Sequence, residues 1–273
     1  MSNKYTVSII MGIYNCEKTL GEAIDSILKQ TFEDWQLIMC DDGSKDMTYN
    51  IAKSYVDKYP KKMVLLKNEK NMGLNHTLNN CLKVAQGKYI ARMDGDDISV
   101  PQRLEKEVIF LEENPQYAVV STEMIMFDEA GDWGKTTVIK YPQKEDFCKH
   151  APFFCHAACM VRREVFEAVE GYTVDPRLLR VEDCHLWFKV YAKGYKGANL
   201  EEALYKMRDD RNATTRRSFN ARLNGCYVMF VGFRMIKMPW YRYIYLLKVC
   251  AVEILKCILP VCVYEFIHKR KFK

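Results

Sequence analysis

The chain lacks any apolar run approaching the ~18–20 uncharged residues of a bilayer-crossing helix, which excludes a polytopic membrane architecture. Proline and glycine are scarce, 8 and 13 of 273 residues, which excludes collagen-like and Pro-rich classes. The N-terminus, MSNKYTVSIIMGIYNCEKT, lacks the extended apolar core of a signal peptide and reads as a first strand. Charge of one sign is lacking through most of the chain. The net charge is +6, and the segment from Lys237 onward, with eight basic and two acidic residues, carries all of it. A neutral body excludes a broad nucleic-acid surface, so no nucleic-acid partner is expected. There is no Walker A sequence, no G-x-G-x-x-G after the first strand and no G-x-S-x-G elbow. P-loop NTPase, Rossmann dehydrogenase and serine hydrolase readings therefore have no support.

What is present suits one large domain, or one domain with an appendage: 49% hydrophobic and 28% charged residues, enough for a sizeable core. The 11 cysteines are odd in number and mostly sit in apolar runs, as buried free thiols of a reducing compartment do. Cys155, His156 and Cys159 cluster, but no second ligand pair stands at zinc-site spacing.

Strand and helix patterns alternate four times. Residues 6–11 (TVSIIM), 35–40 (WQLIMC), 63–68 and 89–93 (YIARM) read as strands, and 18–30, 49–59 and 74–85 as helices. This predicts an α/β fold with a mostly parallel central sheet flanked by helices. Beyond it, 101–113 is an amphipathic helix, 118–127 a strand, 164–168 a short helix, 181–193 a helix stopped by Gly194, 203–208 a strand and 218–235 a helix.

Open α/β sheets bind ligands beyond the carboxyl ends of their strands. Acids fall at two such ends: Asp41 and Asp42 after the second strand, and Asp94, Asp96 and Asp97 after the fourth. Three carboxylates within four residues repel unless a cation or donors compensate, and hard oxygen ligands suit Mg2+ or Mn2+. The bland alternative is a solvated acidic turn with Asp97 or Ser99 capping the next helix.

These segments, taken together, resemble the inverting glycosyltransferases of family 2, which have a GT-A type fold. The resemblance rests on VSIIMGIYN (7–15), DDGSKDMT (41–48), NMGLNHTLNNCLKVAQGKYIARMDGDD (71–97), HAACMVRREVFEAVEGY (156–172), VEDCHLWFKVYAKG (181–194) and ALYKMR (203–208). Each motif is weak alone, whereas their order and spacing over roughly residues 5 to 215 are specific. The resemblance implies that Ile13 and Tyr14 line the nucleotide base, that Asp42 hydrogen-bonds a uracil-type ring and that Asn71 sits beside that pocket. It implies a metal motif of Asp94 and Asp96 holding Mn2+ or Mg2+, with Asp94 near the ribose, Asp96 on the ion and Asp97 assisting. It makes Asp183 the catalytic base, at the start of a helix pattern whose dipole favours an ionised carboxylate.

Three departures stand out. Gly12 replaces a frequent proline. The run Arg208-Asp209-Asp210-Arg211 has Asp210 where many members place a histidine, and Arg208 or Arg211 offers a cation to the diphosphate instead. The Q-x-x-R-W segment and membrane spans of processive synthases are missing, which points to one sugar per encounter.

The expected organisation is a catalytic domain over 1–217, with a nucleotide-sugar half at about 1–98 and an acceptor half at 99–217, then a helical extension over 218–273. In that extension Ile244, Leu247, Ile254, Cys257, Ile258 and Val261 share a helical stripe among Lys and aromatic residues, with Lys269 to Lys273 as a basic end. It reads as a helix lying on a membrane surface, or one packed on the domain. The expected activity is transfer of one hexosyl or N-acetylhexosaminyl unit from a UDP-sugar to a saccharide acceptor. The acceptor is expected to be linked to undecaprenyl diphosphate at the cytoplasmic face of the membrane, in capsule, O-antigen or exopolysaccharide assembly. The competing class is a non-catalytic nucleotide-sugar-binding scaffold subunit of such an assembly complex.

Overall fold

In the computed structural model, which describes residues 4–149, 153–209 and 219–258, a nine-stranded sheet runs through the molecule. Its first half comprises β1 (Tyr5–Ile13), β2 (Trp35–Asp41), β3 (Met63–Lys67) and β4 (Gly87–Arg92), in parallel order β3-β2-β1-β4. The central strands are buried on both faces, β2 along its whole length, which explains their unbroken apolar sequences. Alternation still decides which helices each side chain meets. Val7, Ile9, Met11 and Ile13 share one core with α1 (Leu20–Leu28), α2 (Thr48–Lys58) and α4 (Arg103–Glu113). Ile10, on the opposite face, joins α3 (Leu74–Val84), α5 (Arg163–Ala168) and α6 (Glu182–Ala192) in a second core.

The second half of the sheet is mixed. β8 (Met160–Arg162) pairs antiparallel to β4 and to β6 (Val119–Asp128), and β6 pairs in parallel with β9 (Gly197–Arg208). β7 (Gly131–Lys135) folds back on β6, and β5 (Ile98–Ser99) closes the edge against β9. The sequence patterns gave no sign of β5, β7 and β8, which are short and without alternation. They showed only the last half of β9, because its middle passes through Glu201 and Glu202, which are exposed where the register with β6 shifts.

α7 (Phe219–Met235) and α8 (Tyr243–Ile258) follow, joined by a 3-10 turn at Trp240–Arg242. Val228, Met229, Phe233 and Ile236 are buried in the core that α6 contributes to, and Leu246 of α8 is buried with them. Phe188 of α6 stacks on Phe147 at 3.9 Å and leaves room on its other side for one residue type only. A Cβ at Gly232 would lie 2.1–2.4 Å from Phe188 ring carbons. Gly232→Val therefore overpacks the α6–α7 contact, and the expected drop in Tm is about 3–10 °C. Gly225→Ala, in the same helix with nothing within 4 Å of the added methyl, is the neutral or stabilising control in the same melt.

Candidate active site

The carboxyl ends of β1 and β2 meet at a stapled pair of loops. The Asp42 N–H donates to the Ile13 carbonyl (2.9 Å), and the Asn15 side chain accepts from the Lys45 N–H (2.9 Å). Ile13 is buried while Tyr14 is 43% exposed, so the ring of Tyr14 is the part of this loop offered to solvent. Asp42 is buried, and its carboxylate accepts from Asn68 Nδ2 (2.8 Å) and from the N–H groups of Met72 (2.8 Å) and Gly73 (2.9 Å). Asp42 thus anchors the turn that carries Asn71, which is exposed. Gly43 makes the close approach possible. Its φ is +74°, and a Cβ there would meet the Lys70 carbonyl carbon at 2.9 Å. Ile13, Tyr14, Asp42 and Asn71 are brought together at one end of the parallel half.

The acidic turn after β4 assigns a different task to each carboxylate. Asp94 is gripped at both oxygens by Arg92, Nη1 to Oδ2 at 2.9 Å and Nη2 to Oδ1 at 2.7 Å. Its N–H donates to the Tyr205 hydroxyl (3.1 Å). Asp97 is buried and accepts the Arg208 N–H (2.7 Å), tying the turn to the end of β9. Asp97 and Ser99 do not cap α4, whose N-cap is Gln102, because Ser99 is held in β5. Asp96 is the exposed member of the turn. Desolvation by the surrounding protein, and then the charge of Asp94, pushes its carboxyl up to about 6. Arg208 donates from Nε to the Asp96 carbonyl (3.0 Å), pairs with Glu22 and lies 4.5 Å over the Phe127 ring. It braces the turn. Arg211 and Asp210 lie outside the described residues.

Asp183 stands in the first turn of α6, where its Oδ1 accepts the Cys184 N–H (2.7 Å). Burial, then the Asp183 charge, pushes the neighbouring Glu182 carboxyl up, and Arg92 pulls it back. Arg92 therefore acts on two acidic groups, Asp94 and Glu182. Beneath it the His156 ring meets the Tyr172 hydroxyl at 2.9 Å, and burial, then the nearby Arg92 charge, holds that imidazole well below its usual range. His156 is a core residue, edge-on to Trp187.

Arg92 is the residue that the sequence motifs overlooked. The one available signal was a charge inside an otherwise apolar strand, YIARM, two positions before Asp94 and so on the same side of the chain. Glu22 and Tyr205 gave no comparable signal.

With this geometry in place, the comparisons are informative. The family model for glycosyl transferase family 2 matches residues 8–170. EpsE of Bacillus subtilis (strain 168), itself named as a glycosyltransferase, is 42% identical over 271 residues, 99% of this chain and 96% of that protein. The chain belongs to glycosyl transferase family 2. The chain is also similar to the Escherichia coli UDP-Glc:alpha-D-GlcNAc-diphosphoundecaprenol beta-1,3-glucosyltransferase WfaP, 29% identical over 208 residues, 74% of this chain and 77% of that protein. The fold is of the GT-A type. TarS of S. aureus, solved with UDP-GlcNAc, superposes with a TM-score of 0.66 at 19% identity, over 92% of this chain and 72% of that one. The mannosyltransferase PcManGT of Pyrobaculum calidifontis, solved with GDP-Man and Mn2+, gives 0.67 at 18%, over 93% and 74%.

Asp94 and Asp96 are the candidate ligands of a divalent cation. Among the described residues no three His, Cys, Asp or Glu side chains gather as a complete ligand set. Asp96 fits as an anchor nonetheless, since its carboxylate is hard, exposed and uncomfortable as an anion without a nearby cation. Asp94, occupied by Arg92 on both oxygens, keeps only its remaining lone pairs for a second contact.

Proposed function

We propose that this chain transfers a single sugar, with inversion, from a UDP-sugar to a saccharide acceptor in cell-surface polysaccharide assembly. The observation that carries the reading is the division of the acids. Asp96 stands exposed after β4, while Asp183 heads α6, and Arg92 exerts its charge on both Asp94 and Glu182. Ile13, Tyr14, Asp42 and Asn71 form the uracil-binding end, with Asp42 holding the turn that carries Asn71. Asp94 stands near the ribose, and Asp96 is the main protein contact of Mn2+ or Mg2+. A bound cation there supplies charge stabilisation to the departing nucleoside diphosphate. Asp183 removes the proton of the acceptor hydroxyl, which is a poor nucleophile until it is deprotonated. Relatives named for GlcNAc-diphosphoundecaprenol acceptors support a lipid-linked acceptor, met at the cytoplasmic face of the membrane by a peripherally bound enzyme.

The test is nucleotide release from UDP-, GDP- and dTDP-sugars with Mn2+ or Mg2+, beside an Asp96→Ala variant. The expected result is metal-dependent release from a UDP-sugar, reduced about 10²-fold or more in the variant. Release unchanged by the substitution or by chelator overturns the metal assignment. No binding of any nucleotide in calorimetry overturns the transferase reading.

A further inference from the structure

A surface helix of a globular protein normally turns a polar face outward. α8 does not. Tyr243, Leu246, Val249 and Cys250 turn inward onto the core. On the outside stand Ile244 (62% exposed) and Leu247 (65%), with Val252 also open to solvent. The turn before the helix adds Trp240, 84% exposed, and Tyr241.

The apolar surface continues along α7. Leu223, Tyr227, Phe230 and Arg234 recur at helical spacing on the side opposite the buried Val228, Gly232 and Ile236. Phe230 touches Tyr243 edge-on, so this stripe adjoins the start of α8. Toward its other end, Asn224 Nδ2, ~9 Å from Phe230 along the helix axis, donates to the Leu179 carbonyl (3.1 Å), and Arg177 lies 4.6 Å over the Tyr227 ring. Leu179 is itself exposed and stands four residues before Asp183. One apolar band therefore runs from the Trp240–Arg242 turn to the loop that delivers the proposed base.

The charge along this band selects the occupant. Residues 219–258 hold six basic side chains and one acidic. Arg234, Lys237, Arg242 and Lys248 form no ion pair among the described residues, and only one acid, Glu253, stands in the same stretch. Aromatic and aliphatic side chains bordered by unpaired cations match the boundary layer of an anionic bilayer, where rings settle at headgroup level and cations meet phosphate. No described helix is long and apolar enough to span a membrane.

We propose that the outer face of α8, the Trp240–Arg242 turn and the Leu223–Phe230 side of α7 form a docking surface for an anionic lipid bilayer, which presents the loop before Asp183 to the membrane plane. This deepens the reading of a membrane-bound enzyme with a lipid-linked acceptor by naming the surface and its orientation. The acceptor's lipid stays in the bilayer while its sugar reaches the cleft.

The experiment is sedimentation of the full chain with vesicles of phosphatidylcholine alone, or of phosphatidylcholine with phosphatidylglycerol. Binding to the anionic vesicles is expected, weakening as salt rises. Serine at Trp240, Ile244 and Leu247 together lowers the partition coefficient about tenfold or more, and Arg242→Ser or Lys248→Ser about fivefold each. Trp240→Phe removes the vesicle-induced blue shift of tryptophan emission. All three apolar positions are solvent-exposed, so the triple variant melts like the parent. Unchanged binding by the triple variant overturns the proposal, as does absence of binding to either vesicle. A dimer in light scattering that the triple variant abolishes, without vesicle binding, gives the face to a second copy and equally overturns it. Nucleotide release with a soluble acceptor is untouched by these substitutions. Loss of release in the parent, with vesicle binding intact, would strike the transferase reading alone.

Discussion

Asp183→Asn is expected to lower kcat about 10²- to 10⁴-fold, the range for a lost general base, while leaving the Kd for UDP unchanged. The substitution is nearly isosteric. An Asn side-chain oxygen still accepts the Cys184 N–H that Asp183 holds at 2.7 Å, so the first turn of α6 keeps its geometry. What disappears is the ability to take a proton. The N-terminal position also matters to the intact residue, because the helix dipole favours the anion that the reaction needs. Steady-state kinetics with a saccharide acceptor, beside calorimetry with UDP, separates the two effects. A variant with parental kcat would shift the base to Glu182, whose carboxyl is buried beside Asp183 and held up by it. A variant with lost UDP binding would make Asp183 part of the donor site.

The parallel half of the fold was legible because its strands are continuous apolar runs ended by Gly, Asn or Asp. WQLIMC runs into Asp41, and YIARM into Asp94-Gly95. The antiparallel half was not, because β8 is three residues within HAACMVRREVF and owes its existence to pairing with both β4 and β6. The acids of the site were legible as residue types, and their division of labour was not. Nothing in DGDD distinguishes Asp97, buried and spent on the Arg208 N–H, from Asp96, which is exposed. Those roles follow from β9, whose Tyr205 and Arg208 arrive more than a hundred residues later. The C-terminal helices were visible as helices. Their inner face was not, because Gly232 reads as a weak helix position until Phe188 is found against it.

Arg92 carries the second large effect. It is 3% exposed, its two Nη groups are committed to Asp94, and its Nε has no hydrogen-bond partner. Arg92→Met removes the cation while Asp94, Asp96 and Asp97 remain within four residues. Breaking a buried ion pair from one side costs about 3–5 kcal/mol. Asp94 keeps 31% of its side chain exposed, and water screens the orphaned carboxylate, so about 2 kcal/mol is the expected loss. Chemical denaturation reads that loss, as a midpoint shift at constant slope. Arg92→Lys separates charge from shape. A lysine retains the positive charge and most of the stability, but a point charge cannot hold both carboxylate oxygens in the planar fork that fixes Asp94. The expected outcome is a near-parental midpoint with kcat/KM down about tenfold to a hundredfold, since small misplacements of a positioning group are costly in rate. If lysine restores activity together with stability, Arg92 serves only as a buried countercharge. If lysine restores the fold alone, the guanidinium geometry sets where Asp94 meets the donor.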